Sequence, residues 1–307
     1  GLGDVYKRQH LCRRKGRKQM DNLKAKKRHP EEIAVYSAIY VCAAFSVLLL
    51  LGIIVYVFAK GARRVNWAFL TGVTSILHGT VGIAGNILNT LIIILLTMII
   101  TTPIGVGAAI YLNEYAKPGK LVTVIIFATE TLAGIPSIIF GLFGMLFFGQ
   151  LCHMGYSLLT GSLTLTLMVL PLVTRNTQEA LKTVPDSFRT GAVGLGAGKW
   201  YTIRTILLPS AMPGIVTGVI LAIGRIIGES AALLFTAGSA HLLPKTFDAF
   251  LEKIFHSGGT LTIQLYLSAS KGEFEVAFGI AVVLLVIVLL INFGTKRLAK
   301  KLSLIHI

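Results

Sequence analysis

The chain has 307 residues and a net charge of +16, yet only 14% of its residues are charged, against about 25% in a soluble domain. With 54% hydrophobic residues, so few charges cannot clothe a water-facing surface, which excludes an ordinary soluble fold and makes lipid the solvent for most of the chain. The basic excess would suggest nucleic acid on a soluble protein, but it is gathered at the ends and in particular loops. That is the positive-inside pattern, so membrane lipid rather than nucleic acid is the expected partner.

The chain opens GLGDVYKRQ, and Met20 begins MDNLKAKKRHPEE. Residues 1–19 and the closing 303–307 continue no neighbouring pattern and are expected to be foreign to the native chain. Cys12, Cys42 and Cys152 show no CxxC spacing, so no disulfide framework, zinc site or other cofactor is expected; Cys42 and Cys152 read as small apolar residues.

A membrane-spanning helix needs roughly 20 mostly apolar residues. After a basic segment, 1–32, no charge falls between Glu32 and Lys60, and 33–59 is predicted as the first span. It is too long for a signal-peptide core and has no small-residue cleavage site, so it is expected to stay as an anchor. Residues 66–84 read as an extracytoplasmic loop and 85–112 as a second span, kinked at Pro103. The turn EYAKPGK leads to a third span, 121–149, with Glu130 inside it and a break near Ala133–Pro136, where Ser137 is placed to cap the second half. GQLCHMGYS connects to a fourth span, 157–178, ending as Arg175, Asn176 and Gln178 appear. A polar amphipathic connection, 179–209, precedes a fifth span over 211–236 that holds Arg225 and Glu229. A long loop, 237–275, a sixth span, 276–294, and a basic tail, 295–307, complete the chain, with 85–294 as its core. The expected fold is therefore all-α with six transmembrane helices.

Six spans put both termini on one side. That side would carry Lys24, Lys26, Lys27, Arg28, Lys117, Lys120, Arg175, Lys182, Arg189, Lys199, Arg204, Lys296, Arg297, Lys300 and Lys301, fifteen in all. The other side would carry six: Lys60, Arg63, Arg64, Lys245, Lys253 and Lys271. The totals make the termini and 179–209 cytoplasmic, although the Lys60/Arg63/Arg64 cluster runs the other way.

In the 179–209 connection, Asp186 or Ser187 is suited to cap a helix whose residues Phe188, Ala192 and Leu195 form an apolar stripe at i, i+4 and i+7. Gly196 is placed to end it. A second short helix would carry Trp200, Ile203 and Leu207 on one face, Lys199 and Arg204 elsewhere, and stop at Pro209. Two such helices suit either a partner's groove or the lipid interface. Gly196, nine residues, Ile206, one residue, Leu208 and Pro209 is a spacing that resembles the EAA loop of ABC importer permeases, the element that meets the ATP-binding subunit. The positions of that family's Glu-Ala-Ala are here Thr190, Gly191 and Ala192; the absent glutamate bears on the ion-pair part of ATPase docking and leaves the apolar part.

TPIGVGAAIYLNEYA, ETLAGIPSIIFGLFG, EALKTVPDSFR, LGAGKWYTI and GRIIGESAALLFTAG, in that order over most of residues 85–240, resemble the PstA family of phosphate permeases within the binding-protein-dependent ABC importers. The resemblance implies a type I importer permease fold and a passive membrane subunit. Its partners would be a second permease (PstC-like), an ATP-binding subunit dimer (PstB-like) and a phosphate-binding protein (PstS-like). The chain itself has no Walker A motif, HExxH or Ser/His/Asp set, so it is expected to be no enzyme; a membrane-embedded lipid-modifying enzyme would need clustered Asp, Glu or His at the surface, which the loops lack. Import of sulfate or molybdate by the same fold is the nearer alternative.

Ionisable groups at membrane depth cost about 2.5–3.5 kcal/mol or more each. Arg225 and Glu229, at i and i+4, are expected to share a face and pair. The residues admit two readings: a structural salt bridge, or a polar pathway in which the guanidinium fork meets a tetrahedral oxyanion while Glu229 moderates its grip. The resemblance implies charged residues in the pathway. Gly224 and Gly228 form a GxxxG suited to close helix approach. Glu130 is open to titration, to pairing with Arg175 or Arg225, or to capping the broken helix; Arg175 either snorkels to lipid phosphate or stands at the inner mouth.

Overall fold

A computed structural model describes residues 30–75, 80–117, 119–244 and 246–304. Residues 1–19, Met20, the cations Lys24, Lys26, Lys27, Arg28 and Lys245, and positions 305–307 lie outside the described residues. The chain divides into two units, Gly1–Tyr56 and Val57–Ile307. The first is, among the described residues, one helix, α1 (Pro30–Gly61), which runs into the second unit at its end. Its apolar side chains, such as Ile39, Phe45 and Leu48, stand exposed, as a helix solvated by lipid requires.

The second unit begins with structure where a plain loop is predicted. A short helix, α2 (Trp67–Thr71), is capped by Asn66, whose Oδ1 accepts from Phe69 N at 2.7 Å. Strands β1 (Val73–Ser75) and β2 (Thr80–Ile83) pair antiparallel, the exception to an otherwise helical chain. α3 (Ala84–Ile110) runs through Pro103 and ends in a π-helical turn, Tyr111–Tyr115. The third apolar stretch is broken as predicted: α4 (Lys120–Gly134) and α5 (Ser137–Gly144) meet at a bend of 102°. Pro136 lacks an N–H and holds Ile135 extended, which ends the first half. Ser137 does not cap the second half; Pro136 itself occupies that position, with no side-chain cap. α5 continues as a π-helix, Met145–Leu151.

α6 (Leu158–Lys182) is the axis of the unit, starting at a true cap in which Ser157 Oγ accepts from Thr160 N at 3.1 Å. Its buried hydroxyls are self-satisfied: Ser162, Thr164 and Thr166 each donate to the carbonyl one turn back at 2.8 Å. Small polar side chains treated in this way let helices approach closely without stranded donors. The main core joins Ile92 and Ile93 of α3, Leu165, Met168 and Val169 of α6, and later residues Ile226, Ile227 and Leu233.

Then come α7 (Asp186–Gly194), α8 (Lys199–Thr202) with its π-helical extension Ile203–Leu207, and α9 (Leu208–Gly228). Lys199–Gly228 is one unbroken helical run, so Pro209 does not end the second short helix. It directly follows the π-helical turn Ile203–Leu207, a local irregularity of the kind at which a helix accommodates proline. The predicted fifth span is instead broken at Glu229, whose backbone is extended, and resumes as α10 (Ala231–Thr236). α10 packs on α5 at glycine: a Cβ at Gly141 would lie 2.8 Å from Ala232 Cα.

The predicted loop 237–275 is mostly ordered against the bundle. It holds α11 (Phe247–Glu252) and α12 (Leu261–Ser270). Asn86 Nδ2 donates to Gly259 O at 2.9 Å, Asn89 Nδ2 to Ala240 O at 3.1 Å, and Leu261 N to Thr90 Oγ1 at 3.0 Å. α13 (Phe274–Leu304) closes the chain. Among the described residues, five helices are long and apolar enough to cross a membrane, and six spans result if the bent α4–α5 pair counts as one.

Candidate functional site

The charged candidates fall in two places. Glu130 of α4 and Arg175 of α6 line one cleft of about 160 Å³ together with Leu112, Gln178, Glu179 and Lys182. Arg175 Nε meets Glu179 at 3.3 Å with both side chains more than half exposed, a pair worth little by itself. Glu130 is exposed and has no ion pair among the described residues.

Arg225 and Glu229 do not share a helical face, because α9 stops at Gly228. Glu229 turns forward: its Oε1 accepts from Ala232 N at 3.0 Å and serves the start of α10. Arg225 is left with no hydrogen bond or ion pair among the described residues. α9 buries Ala222, Ile223, Ile226 and Ile227, while Thr217, Leu221, Gly224 and Gly228 form an open stripe beside Arg225. The predicted GxxxG contact is not made within this chain: nothing lies within 4 Å of a Cβ at Gly224 or Gly228.

The second place is the 183–198 connection. α7 starts at Pro185 with no side-chain cap, so neither Asp186 nor Ser187 caps it. Asp186 sits in the first turn, where a negative charge suits the helix dipole. The end of α7 is a Schellman motif: Ala197 N donates to Ala192 O and Gly196 N to Val193 O, both at 2.9 Å, with Gly196 at φ +79°. Of the predicted apolar stripe, one member turns inward and two stay open. Ala192 is buried, but Phe188 is exposed and Leu195, already past the last helical residue, is 91% exposed. Thr190 and Gly191 are exposed as well. In the next helix Ile203 and Leu207 are buried with Leu181, Val184 and Ile215, whereas Trp200, one turn earlier, is 61% exposed. Ile206 and Pro209 are half-buried. Phe188, Val193, Leu195, Trp200 and Tyr201 thus leave apolar surface uncovered on this connection and the start of the next helix.

Beneath this patch lies a network the sequence reading missed. Arg189 of α7 donates through Nη2 to Glu114 Oε1 at 2.9 Å, through Nε to Glu114 Oε2 at 3.5 Å and through Nη1 to Asp186 Oδ1 at 3.0 Å. It also donates to the carbonyls of Leu181 at 3.1 Å and Val184 at 2.9 Å. Glu114, in the π-helical turn after α3, has a side chain only 8% exposed, and Asn113 Nδ2 donates to its Oε1 at 2.7 Å. The Lys199 ammonium sits 4.7 Å from the Tyr115 ring centroid. The Glu114 hydrogen bond raises the pKa of Arg189, with burial opposing it and the Glu114 and Asp186 charges adding to the rise. The signal in the sequence is slight: Arg189 ends the motif EALKTVPDSFR and Glu114 lies in TPIGVGAAIYLNEYA, with nothing local to join them.

Residues 101–304 match the family described as binding-protein-dependent transport system inner membrane component. The chain is 36% identical over 267 residues to the protein named Probable ABC transporter permease protein YqgI of Bacillus subtilis (strain 168), covering 84% of this chain and 91% of that one. It is 34% identical over 244 residues to the phosphate transport system permease protein PstA of Xylella fastidiosa (strain Temecula1), covering 78% and 82%. Its fold is similar to a chain in the crystal structure of a bacterial alginate ABC transporter in complex with its alginate pentasaccharide-bound periplasmic protein, with a TM-score of 0.66 at 14% identity over 89% of this chain and 96% of that one. With a multi-pass helical bundle, an open loop surface and these relatives together, the chain belongs to the family of inner membrane components of binding-protein-dependent ABC transport systems, as a non-catalytic permease subunit.

Proposed function

We propose that this permease subunit serves an ATP-driven importer of inorganic phosphate. The observation that carries the reading is the likeness to a PstA permease over most of both chains. Arg225 fits the role, being a permanently charged fork with no partner among the described residues, beside an open helix stripe and suited to a tetrahedral oxyanion. Arg175 and Glu130 line a cleft that would belong to the same polar route. A second permease faces the open stripe of α9 and completes the pathway. Two ATP-binding subunits dock on the cytoplasmic loops of the two permeases, one of them on this chain around Phe188, Leu195 and Trp200, and a phosphate-binding protein delivers substrate to the opposite end. Uptake of radiolabelled phosphate by cells lacking other phosphate importers is expected to require this chain and to be displaced by unlabelled phosphate. Displacement by sulfate or molybdate instead of phosphate would overturn the substrate assignment.

The orientation follows from the fifteen-to-six distribution of basic residues: α7 and the termini are cytoplasmic, and the 237–275 connection faces outward. Cysteines placed at Trp200 and at Phe255, both exposed, report it in a background without the native cysteines. An impermeant maleimide applied to cells with a permeabilised outer membrane is expected to label position 255 and not 200. The reverse pattern would invert the topology.

A further inference from the structure

We infer that the Glu114–Arg189 pair is the strut through which displacement of the docking helix α7 reaches the membrane spans; the inference rests on the importer reading above. α7 is joined to its neighbours by two short connections, 183–185 and 195–198, and the second contains Gly196 and Gly198. Its outer side chains are free, so a helix held only by those connections would move without moving the bundle. Arg189 removes that freedom. One guanidinium ties three elements together: α7 through Asp186, the end of α6 through the Leu181 and Val184 carbonyls, and the end of α3 through both Glu114 oxygens. The planar fork holds these directions at once, which a single ammonium cannot do. Lys199 over Tyr115 joins the following helix to the same turn. α3 in turn lies close on α6, where a Cβ at Gly105 would be 2.9 Å from Val173 Cγ1, and both helices contribute to the main core, so a shift imposed at Glu114 enters the bundle. The 183–209 connection supplies one acid, Asp186; the carboxylate that completes the grip comes from a different span, which is what a link between span and loop requires.

The test uses the whole complex in proteoliposomes, with radiolabelled inorganic phosphate as the transported probe and ATP hydrolysis measured in parallel. Stimulation of hydrolysis and phosphate entry by the loaded binding protein in the wild-type complex is the arm on which the importer reading stands or falls. Glu114→Gln and the charge-free double variant Glu114→Gln/Arg189→Met then test the strut. The double variant strands no charge, so it separates coupling from stability. Both variants are expected to assemble and hydrolyse ATP while phosphate moved per ATP falls about tenfold, within the usual range of site-to-site coupling. The double variant is expected to be no worse than Arg189→Met alone, because the pair acts as one unit. An unchanged ratio of phosphate to ATP, or failure of the double variant to assemble, would overturn the inference and leave the pair a support of the fold.

Discussion

Replacing Arg225 by Gln is expected to lower phosphate uptake by about a hundredfold, the worth of one or two charge-assisted hydrogen bonds to the anion, while the complex still assembles. A guanidinium at membrane depth costs about 2.5–3.5 kcal/mol or more unless it is paired or hydrated, and Arg225 is unpaired among the described residues. On the pathway reading it is held for use in a hydrated route, beside the open stripe of Thr217, Leu221, Gly224 and Gly228. Glu229 behaves differently because its carboxylate is spent on Ala232 N. Glu229→Gln keeps an acceptor oxygen for that bond and is expected to retain most of the uptake. A mutual salt bridge would make the two single variants equally harmful and let Arg225→Gln/Glu229→Gln recover; the pathway role keeps the double variant assembled and inactive. Arg225→Lys, which keeps the charge and loses the fork, is expected to fall between. Near-normal phosphate uptake by assembled Arg225→Gln or by the double variant would refute the role.

At the other end of the coupling path, Gly196→Val is expected to weaken association with the ATP-binding subunits by about ten- to a hundredfold, from roughly 1–3 kcal/mol of backbone strain. The cause is conformational rather than steric, since nothing lies within 4 Å of a Cβ at Gly196. Its φ of +79° closes the Schellman motif, and a β-branched residue resists that region. When the turn opens, Leu195 and Trp200 lose their relative placement on the docking patch. Asn enters the left-handed region far more readily, so Gly196→Asn is expected to keep most of the association. Recovery of the ATP-binding subunits with affinity-tagged permease measures both. Equal recovery with Val and with Asn would remove the turn conformation from the docking mechanism.

Apolar runs and their interruptions were legible in the sequence because they depend on local chemistry. Twenty-odd uncharged residues must form a helix in lipid, whatever surrounds them, and α1, α3, α6 and α13 stand where those runs stand. The break at Pro136 and the turn at Gly196 were legible for the same reason, since a missing N–H and a missing Cβ act on their own backbone. The family resemblance likewise needed only ordered motifs, and the likeness to PstA bears it out.

What the tertiary structure alone decided concerns partners. Glu229 sits four residues after Arg225, and on an uninterrupted helix the two would have paired; only the end of α9 at Gly228 sends the carboxylate to Ala232 instead. Phe188, Ala192 and Leu195 have the spacing of one helical stripe, but Leu195 lies past the last helical residue and only Ala192 is buried. Pro209 looked like a stop, yet the helical run continues through it, directly after the π-helical turn Ile203–Leu207. Glu114 and Arg189 are 75 positions apart, and no local pattern joins them. Which acid meets which base is set by how spans stack, and stacking sums many weak contacts from distant segments, so the sequence determined where the helices run while the packing chose which charges are left free to act.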